Sequence, residues 1–118
     1  LHHSAEEERM TNCVFCKIVA GEIPSTKVFE NDDVLAFRDI APQAPGHVLV
    51  VPKKHGDSVP GMEDAAVAAA LLNGVREVAE KEGLKSFRTI VNTGAESGQT
   101  VFHLHAHILG GRKLKSMG

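Results

Sequence analysis

The chain has 118 residues, of which 42% are hydrophobic, and its formal net charge is -2 at pH 7. This length fits one domain with a hydrophobic core of its own. The lysines and arginines are scattered, and tryptophan and tyrosine are absent, so we expect no nucleic-acid partner, either duplex or single-stranded. The longest apolar run, residues 65–72, is far shorter than the roughly 20 residues of a membrane span.

Residues 1–10, LHHSAEEERM, form an acidic head without the apolar segment of a signal peptide. The adjacent histidines in this head are typical of an expression-tag remnant, so we expect one domain over residues 11–118 and a cytoplasmic location. In that compartment Cys13 and Cys16 are not expected to form a structural disulfide. Their C-x-x-C spacing indicates metal ligation or redox chemistry, and redox is the weaker option because no strand precedes the motif.

The first half of the chain alternates apolar runs with turn residues. The pattern predicts a short helix at residues 15–20, which ends at Gly21. Strands are predicted at residues 27–30, 34–40 and 47–51. The loop APQAPG separates the last two of them, and Pro52 is expected to end the third strand.

The second half predicts one long helix, residues 62–82, followed by strands at residues 87–92 and 101–109. Gly74 lies inside this helix, where glycine costs about 1 kcal/mol relative to alanine. We therefore expect another backbone, such as that of a partner subunit, to approach the helix there. The whole pattern predicts an α+β domain, with about five mostly antiparallel strands and one main helix on one face.

The last predicted strand contains the sequence HLHAH. Alternate side chains share one face of a strand, so His103, His105 and His107 are expected on one side and the apolar residues between them in the core. Solvated strand faces usually carry other polar residues. Imidazole is the side chain suited to proton and metal chemistry near neutral pH, so three in alternation indicate a functional site.

A metal site is one interpretation of these histidines. Alternate positions on a strand are roughly 6.5–7 Å apart, too far for all three to reach one zinc ion at about 2.0–2.1 Å. One of them, together with Cys13, Cys16 and His55, would make a closed structural zinc site. Alternatively, Cys13 is merely exposed and Cys16 merely part of the core.

A phosphate site is the other interpretation. The loop NTGAESGQT, with Asn92 and Thr100 near its ends, offers backbone amides that can bind anionic oxygen. A neutral imidazole can attack phosphorus, and a neighbouring imidazolium can protonate the leaving group. This division of labour requires two histidines near one phosphate, which alternate strand positions provide.

The segment HLHAHIL resembles the histidine-triad motif at every position, and FCKIVAGEIPS, LAFRDIAPQAPGHVLVVPKKH, VNTG and SGQTVFH extend the resemblance over residues 13–112. The segment SGQTVFH before the triad and the segment GGR after it are similar to the nucleoside phosphoramidase branch of this family. The resemblance implies a homodimer in which two five-stranded antiparallel sheets join into ten strands. It also implies hydrolysis of purine nucleoside 5′-monophosphate derivatives, such as those of AMP or GMP, through a nucleotidyl-histidine intermediate without an organic cofactor.

Three other functions stay open beside this one. The first is hydrolysis of dinucleoside polyphosphates, and the second is nucleotide binding by a zinc-stabilised module with little turnover. The third is nucleotidyl transfer, which His107 disfavours because relatives of that kind carry glutamine there.

The resemblance also implies roles for single residues. His105 would be the nucleophile, His107 would bind the phosphoryl oxygens and assist the leaving group, and His47 would support both. Thr100 would contact the leaving group, and Asp39 would bind the ribose hydroxyls. The base slot would consist of Val14, Phe15, Ile18, Phe37 and Ile40, although core packing would also explain these residues. Asn92, Gly98 and Gln99 would line the phosphate and ribose side. Structural zinc would be held by Cys13, Cys16, His55 and His103.

Overall fold

The computed structural model describes residues 13–54, 65–99 and 103–116. Within these ranges one antiparallel sheet is formed by β1 (Lys27–Glu30), β2 (Val34–Arg38), β3 (Val48–Pro52), β4 (Phe87–Ile90) and β5 (Ala106–Gly110). Their spatial order is β1-β2-β3-β5-β4. The helices are α1 (Val14–Val19), α2 (Ala65–Lys81) and a 3-10 turn at Ala95–Ser97. The predicted α+β fold with a five-stranded antiparallel sheet is confirmed. The acidic head lies outside the described residues.

The two helices cover opposite faces of the sheet, because alternate residues of each strand point to opposite sides. The α2 side holds the larger core, which includes Val34, Ala36, Val48, Val50, Leu71, Val75, Val78, Ala106 and Ile108. The α1 side holds a smaller core of Cys13, Phe15, Leu35, Phe37, Leu49 and Val51. None of the helices in the described ranges combines the length and apolarity needed to cross a bilayer.

Gly74 lies where α2 packs against the sheet. A Cβ atom at this position would be only 3.0 Å from Val34 Cγ2 and 3.0 Å from Val50 Cγ1. The close neighbours are therefore sheet side chains of the same chain. This corrects the expectation that a second backbone, such as that of a partner subunit, explains the glycine.

Some element ends differ from the predicted ones. β5 begins at Ala106, so His103 and His105 precede the regular strand instead of lying within it. β2 ends at Arg38 because Asp39 Oδ1 accepts the amide hydrogen of Ala41, two residues on, at 2.8 Å in an Asx-turn. Pro52 is the last residue of β3 and not the residue after it.

The helix ends also differ from the predicted ones. α1 begins one residue earlier than predicted, after Cys13, whose Sγ accepts the amide hydrogen of Cys16 as an N-terminal cap. α2 ends at Lys81, one residue before the predicted end. The predicted start of this helix, residues 62–64, lies outside the described residues.

Candidate active site and metal-binding cluster

A cleft of about 650 Å³ opens on the α1 side of the sheet. Its described wall consists of Val14, Phe15, Ile18, Pro24, Ser25, Thr26, Phe37, Arg38, Asp39, Ile40, Leu49, His105 and His107. All five predicted base-slot residues are present, beside the predicted ribose ligand and two of the three histidines. Phe15 and Phe37 are buried core residues as well, but Ile40 is fully exposed. Core packing therefore does not account for Ile40, which is available to an apolar ligand.

His105 lines the cleft, and one of its ring nitrogens is engaged by the backbone. Its Nδ1 lies 2.7 Å from the carbonyl oxygen of His103, so Nδ1 carries the hydrogen and donates it. In the neutral ring Nε2 is then unprotonated and nucleophilic. Burial lowers the pKa of His105 despite the opposing effects of the His103 carbonyl and Asp39, so the ring is neutral near pH 7.

His47 and His107 form a second hydrogen-bonded pair. The amide hydrogen of Gln43 is donated to His47 Nδ1 at 2.9 Å, so the hydrogen of neutral His47 lies on Nε2. His47 Nε2 is 2.9 Å from His107 Nδ1 and 3.4 Å from Asp39 Oδ2. His107 Nδ1 therefore accepts, and its Nε2 carries a hydrogen that it can donate to a ligand.

Burial, followed by repulsion from His105 and His47, lowers the pKa of His107 to about 4, against an opposing effect of Asp39. His107 is consequently neutral near pH 7 in the ligand-free protein. At this pH the imidazolium expected beside the nucleophile is therefore disfavoured. In this state His107 acts as a neutral hydrogen-bond donor.

The third histidine faces a different cluster. Sγ of Cys13 and Sγ of Cys16 each lie 3.3 Å from His103 Nδ1. His103 Nε2 lies 2.8 Å from the carbonyl oxygen of Pro52 and donates its hydrogen there, which leaves the Nδ1 lone pair for the thiol side. The three ligand atoms are all within 4.8 Å of one another.

This donor set fits zinc, because two thiols and one oriented imidazole are typical ligands of a structural zinc ion. Burial, then the hydrogen bond with Cys13 and its charge, raises the pKa of Cys16 to about 12. A thiolate pair is therefore unfavourable here without a cation. Cys13 is buried and Cys16 half-buried, the reverse of the alternative with an exposed Cys13. His55, the fourth predicted ligand, lies outside the described residues.

Asp39, His47 and His107 also bring three possible ligand atoms within 4.8 Å of one another. Here, however, His47 Nε2 carries a hydrogen, because Nδ1 is occupied by the Gln43 amide. The group is therefore a hydrogen-bond network and not an available set of metal ligands.

The described residues of the predicted phosphate loop do not line the cleft. Asn92, Gly98 and Gln99 are not part of the cleft's described wall. Gln99 is 3% exposed, and its Oε1 accepts the amide hydrogen of Gly94 at 2.8 Å, so it braces the loop. Thr100 lies outside the described residues. Conversely, Ser25, Thr26 and Arg38 line the cleft, although the sequence patterns did not single them out.

Residues 20–114 match the model of the HIT domain. The chain belongs to the HIT family. Among HIT relatives, the protein named Adenylylsulfatase HINT1 of Arabidopsis thaliana is 45% identical over 107 residues, which are 86% of this chain and 72% of that protein. The 14 kDa zinc-binding protein of Brassica juncea is 44% identical over 107 residues, which are 86% of this chain and 94% of that protein.

The crystal structure of a HIT family hydrolase from Legionella pneumophila superposes with a TM-score of 0.84. It is 45% identical, and the match covers 88% of this HIT chain and 96% of that chain. The predicted family membership is thus confirmed by sequence and by structure.

Proposed function

We propose that the chain hydrolyses purine nucleoside 5′-monophosphate derivatives that carry an amine or similar leaving group on phosphorus. The central observation is that His105 and His107 lie in one cleft wall beside an apolar slot and Asp39, and that Nδ1 of each ring is engaged by the protein, which leaves Nε2 for a ligand. The names of two relatives, an adenylylsulfatase and a HIT family hydrolase, support hydrolysis of a group attached to a nucleotide phosphate.

In the proposed reaction, the base of AMP or GMP enters the slot formed by Phe15, Phe37 and Ile40. The Asp39 carboxylate accepts hydrogen bonds from the ribose hydroxyls. Asn92, Gly98, Gln99 and Thr100 belong to the segment proposed to border the phosphate.

His105 Nε2 then attacks phosphorus, and a nitrogen–phosphorus bond forms as the bond to the leaving group breaks. His107 assists departure of the amine by donating a hydrogen bond from Nε2 to the phosphoryl oxygens, while His47 holds the His107 ring, and the amine takes its proton from solvent. Water next attacks phosphorus of the nucleotidyl-histidine and loses a proton to solvent, and the nitrogen–phosphorus bond breaks, which releases the nucleoside monophosphate and restores His105.

Cys13, Cys16, His103 and His55 are proposed to hold a structural zinc ion. When bound, zinc would cross-link these side chains and supply no chemistry on the substrate. The contribution to catalysis would come through His103, whose carbonyl oxygen orients His105. The name of the Brassica juncea relative supports a zinc-binding role.

The nucleophile is tested with His105→Ala and adenosine 5′-phosphoramidate as substrate. We expect kcat to fall by roughly a thousandfold or more, because the attacking atom is lost. Mass spectrometry of the wild-type protein, after the reaction is stopped without acid, should show an added nucleotidyl group that His105→Ala lacks. Circular dichroism and zinc content provide the control for folding. Unchanged turnover in the variant would exclude His105 as the nucleophile, and faster hydrolysis of diadenosine polyphosphates would contradict the assigned substrate class.

The proposed functional unit is a homodimer with a continuous sheet. β4 is an edge strand, and Phe87 on it and Leu72 on α2 are large apolar side chains with 38% and 63% exposure. Edge strands and exposed apolar side chains are features that subunit contacts cover. Light scattering on the eluting protein is expected to give twice the mass of one chain, and the mass of a single chain would contradict the dimer.

A further inference from the structure

The APQAPG loop, residues 41–46, packs against the GGR segment, residues 110–112, whose first glycine is the last residue of β5. The amide of Gly46 donates to the carbonyl oxygen of Gly110 at 3.0 Å. Gly111 has a φ of +87°, and a Cβ atom there would lie 3.1 Å from Pro45 Cβ. Only glycine combines this backbone conformation with such a close approach. The two segments therefore fit together closely.

Arg112 adds a side-chain contact to this packing. Its Nη2 donates to the carbonyl oxygen of Gln43 at 2.7 Å, and its Nη1 donates to the carbonyl oxygen of Lys113 at 2.9 Å. The amide of Gln43 donates in turn to His47 Nδ1 at 2.9 Å. Arg112 thus holds the backbone carbonyl of Gln43, and the backbone N–H of the same residue contacts the histidine pair.

The backbone amide of Gln43 favours the His47 tautomer with its hydrogen on Nε2, as does Asp39, whose Oδ2 lies 3.4 Å from that nitrogen. With this contact in place, the hydrogen lies on His47 Nε2, His107 Nδ1 accepts it, and His107 Nε2 keeps its own hydrogen. Without the contact, His47 can place its hydrogen on Nδ1. His107 would then donate from Nδ1 to His47 and turn a lone pair toward the phosphoryl oxygens, which it would repel.

We propose that Arg112 is a positioning residue for His107, acting through Gln43 and His47 on the ring tautomer that faces the substrate. This inference rests on the proposed function, because it assigns His107 Nε2–H to the phosphoryl group. It gives the GGR segment a chemical role beyond ending β5.

The first test observes the tautomers directly and does not depend on activity. Long-range proton–nitrogen NMR of the ¹⁵N-labelled wild-type protein at neutral pH is expected to show the hydrogens of His47 and His107 on Nε2. In Arg112→Ala, a second tautomer of His47 is expected to appear. Wild-type His47 with its hydrogen on Nδ1 would overturn the proposal, even if the protein hydrolyses nucleotides.

The second test compares Arg112→Ala with Arg88→Ala as a matched control. Arg88 is half-buried, and like Arg112 it donates from Nη2 to a backbone carbonyl, that of Lys115 at 2.8 Å, but not to the 41–46 loop. With adenosine 5′-phosphoramidate, Arg112→Ala is expected to lower kcat about tenfold with KM changed less than about twofold, because alignment and not binding is lost. Arg88→Ala is expected to leave both constants unchanged within about twofold.

The proposal would be overturned if the two arginine variants had equal kcat values and if His47 showed the same tautomer in Arg112→Ala as in the wild-type protein. Thermal unfolding of both variants shows whether a loss of folding contributes to any rate change. If wild-type protein hydrolyses no nucleotide derivative, the proposed function fails, but the tautomer measurement still decides whether Arg112 controls the histidine pair.

Discussion

Four histidines with the same side chain differ in chemistry because each has one ring nitrogen held by a different group. His103 donates from Nε2 to Pro52 and turns Nδ1 to the thiols. His105 donates from Nδ1 and turns Nε2 to the cleft. His47 accepts a hydrogen bond at Nδ1 from the backbone N–H of Gln43, and it donates one from Nε2 to His107. Backbone contacts to three rings, and the side-chain contact from His47 to His107, therefore separate a metal ligand, a nucleophile and a donor.

The depressed pKa values at the cleft predict acid sensitivity of the fold. Burial lowers the pKa of His105 and His47, and burial with charge repulsion lowers that of His107 to about 4. The unfolded chain has ordinary histidine pKa values of about 6.5, so it binds more protons than the folded chain below that pH. Stability is therefore expected to fall as the pH drops from about 6.5 toward 4.

Urea unfolding at several pH values measures this effect, with His107→Gln as the comparison under the same metal conditions. The variant lacks one titrating group, so its stability should depend less steeply on pH in this window. Equal slopes for the two proteins would show that His107 does not titrate with a depressed pKa.

Residue identities at the site could be read from the sequence, but the ring tautomers could not. The alternation in HLHAH and its family resemblance singled out His105 and His107, and both line the cleft. The tautomers depend on carbonyl and amide groups, such as those of Pro52 and Gln43, that are brought close only by the fold. Arg38 was missed for the same reason, since no local pattern reveals which strand end borders a cleft.

At the scale of elements, the sequence predicted the five strands and two α-helices of the described ranges, but not every end and not the 3-10 turn at Ala95–Ser97. The ends follow from single contacts. The Asx-turn at Asp39 stops β2, and the hydrogen bond from His105 to the His103 carbonyl accompanies the irregular segment before β5. Helix propensity alone predicted that Gly74 costs stability. The side chains that approach it, Val34 and Val50, could not be predicted, because they are distant in sequence.

Gly74→Ala is therefore expected to destabilise the protein. Alanine would gain about 1 kcal/mol of helix propensity, but crowding in a packed core typically costs about 1–3 kcal/mol. We expect a net loss of about 1 kcal/mol in the free energy of unfolding, measured with urea.

Asn73→Ala on the exposed side of α2 provides the matched control, because it raises helix propensity without approaching the sheet. In a Val50→Ala background, the penalty of Gly74→Ala should shrink, since one of the two crowded methyl groups is gone. A stabilising effect of Gly74→Ala equal to that of Asn73→Ala would contradict the packing argument.

At the scale of the whole molecule, the two faces of the sheet are unequally supported. α2 covers one face with four turns or more of helix, whereas α1 is a helix of 6 residues over a smaller core. The cluster of Cys13, Cys16 and His103 joins α1 to the segment before β5, and His103 joins that segment to β3 through Pro52. A metal ion there would cross-link the weakly supported side, next to the cleft.

Removal of zinc is accordingly expected to lower the thermal midpoint by about 5 °C or more, because a ligand that binds only the folded state stabilises it. Wild-type protein, first saturated with zinc, is compared with and without a strong chelator by calorimetry. Zinc uptake by the chelated protein should release protons, since the high pKa of Cys16 keeps its thiol protonated without metal.

The double variant Cys13→Ser/Cys16→Ser is the control, because serine Oγ can replace Cys13 Sγ as the helix cap acceptor while both thiol ligands are lost. Its midpoint should resemble that of chelated wild-type protein and should not respond to chelator. Chelation would also leave His103, whose carbonyl orients His105, held only by its hydrogen bond to Pro52, so the wild-type cleft is expected to loosen. A wild-type midpoint that is unaffected by chelator, with less than one zinc per chain after saturation, would show that packing alone holds α1 on the sheet.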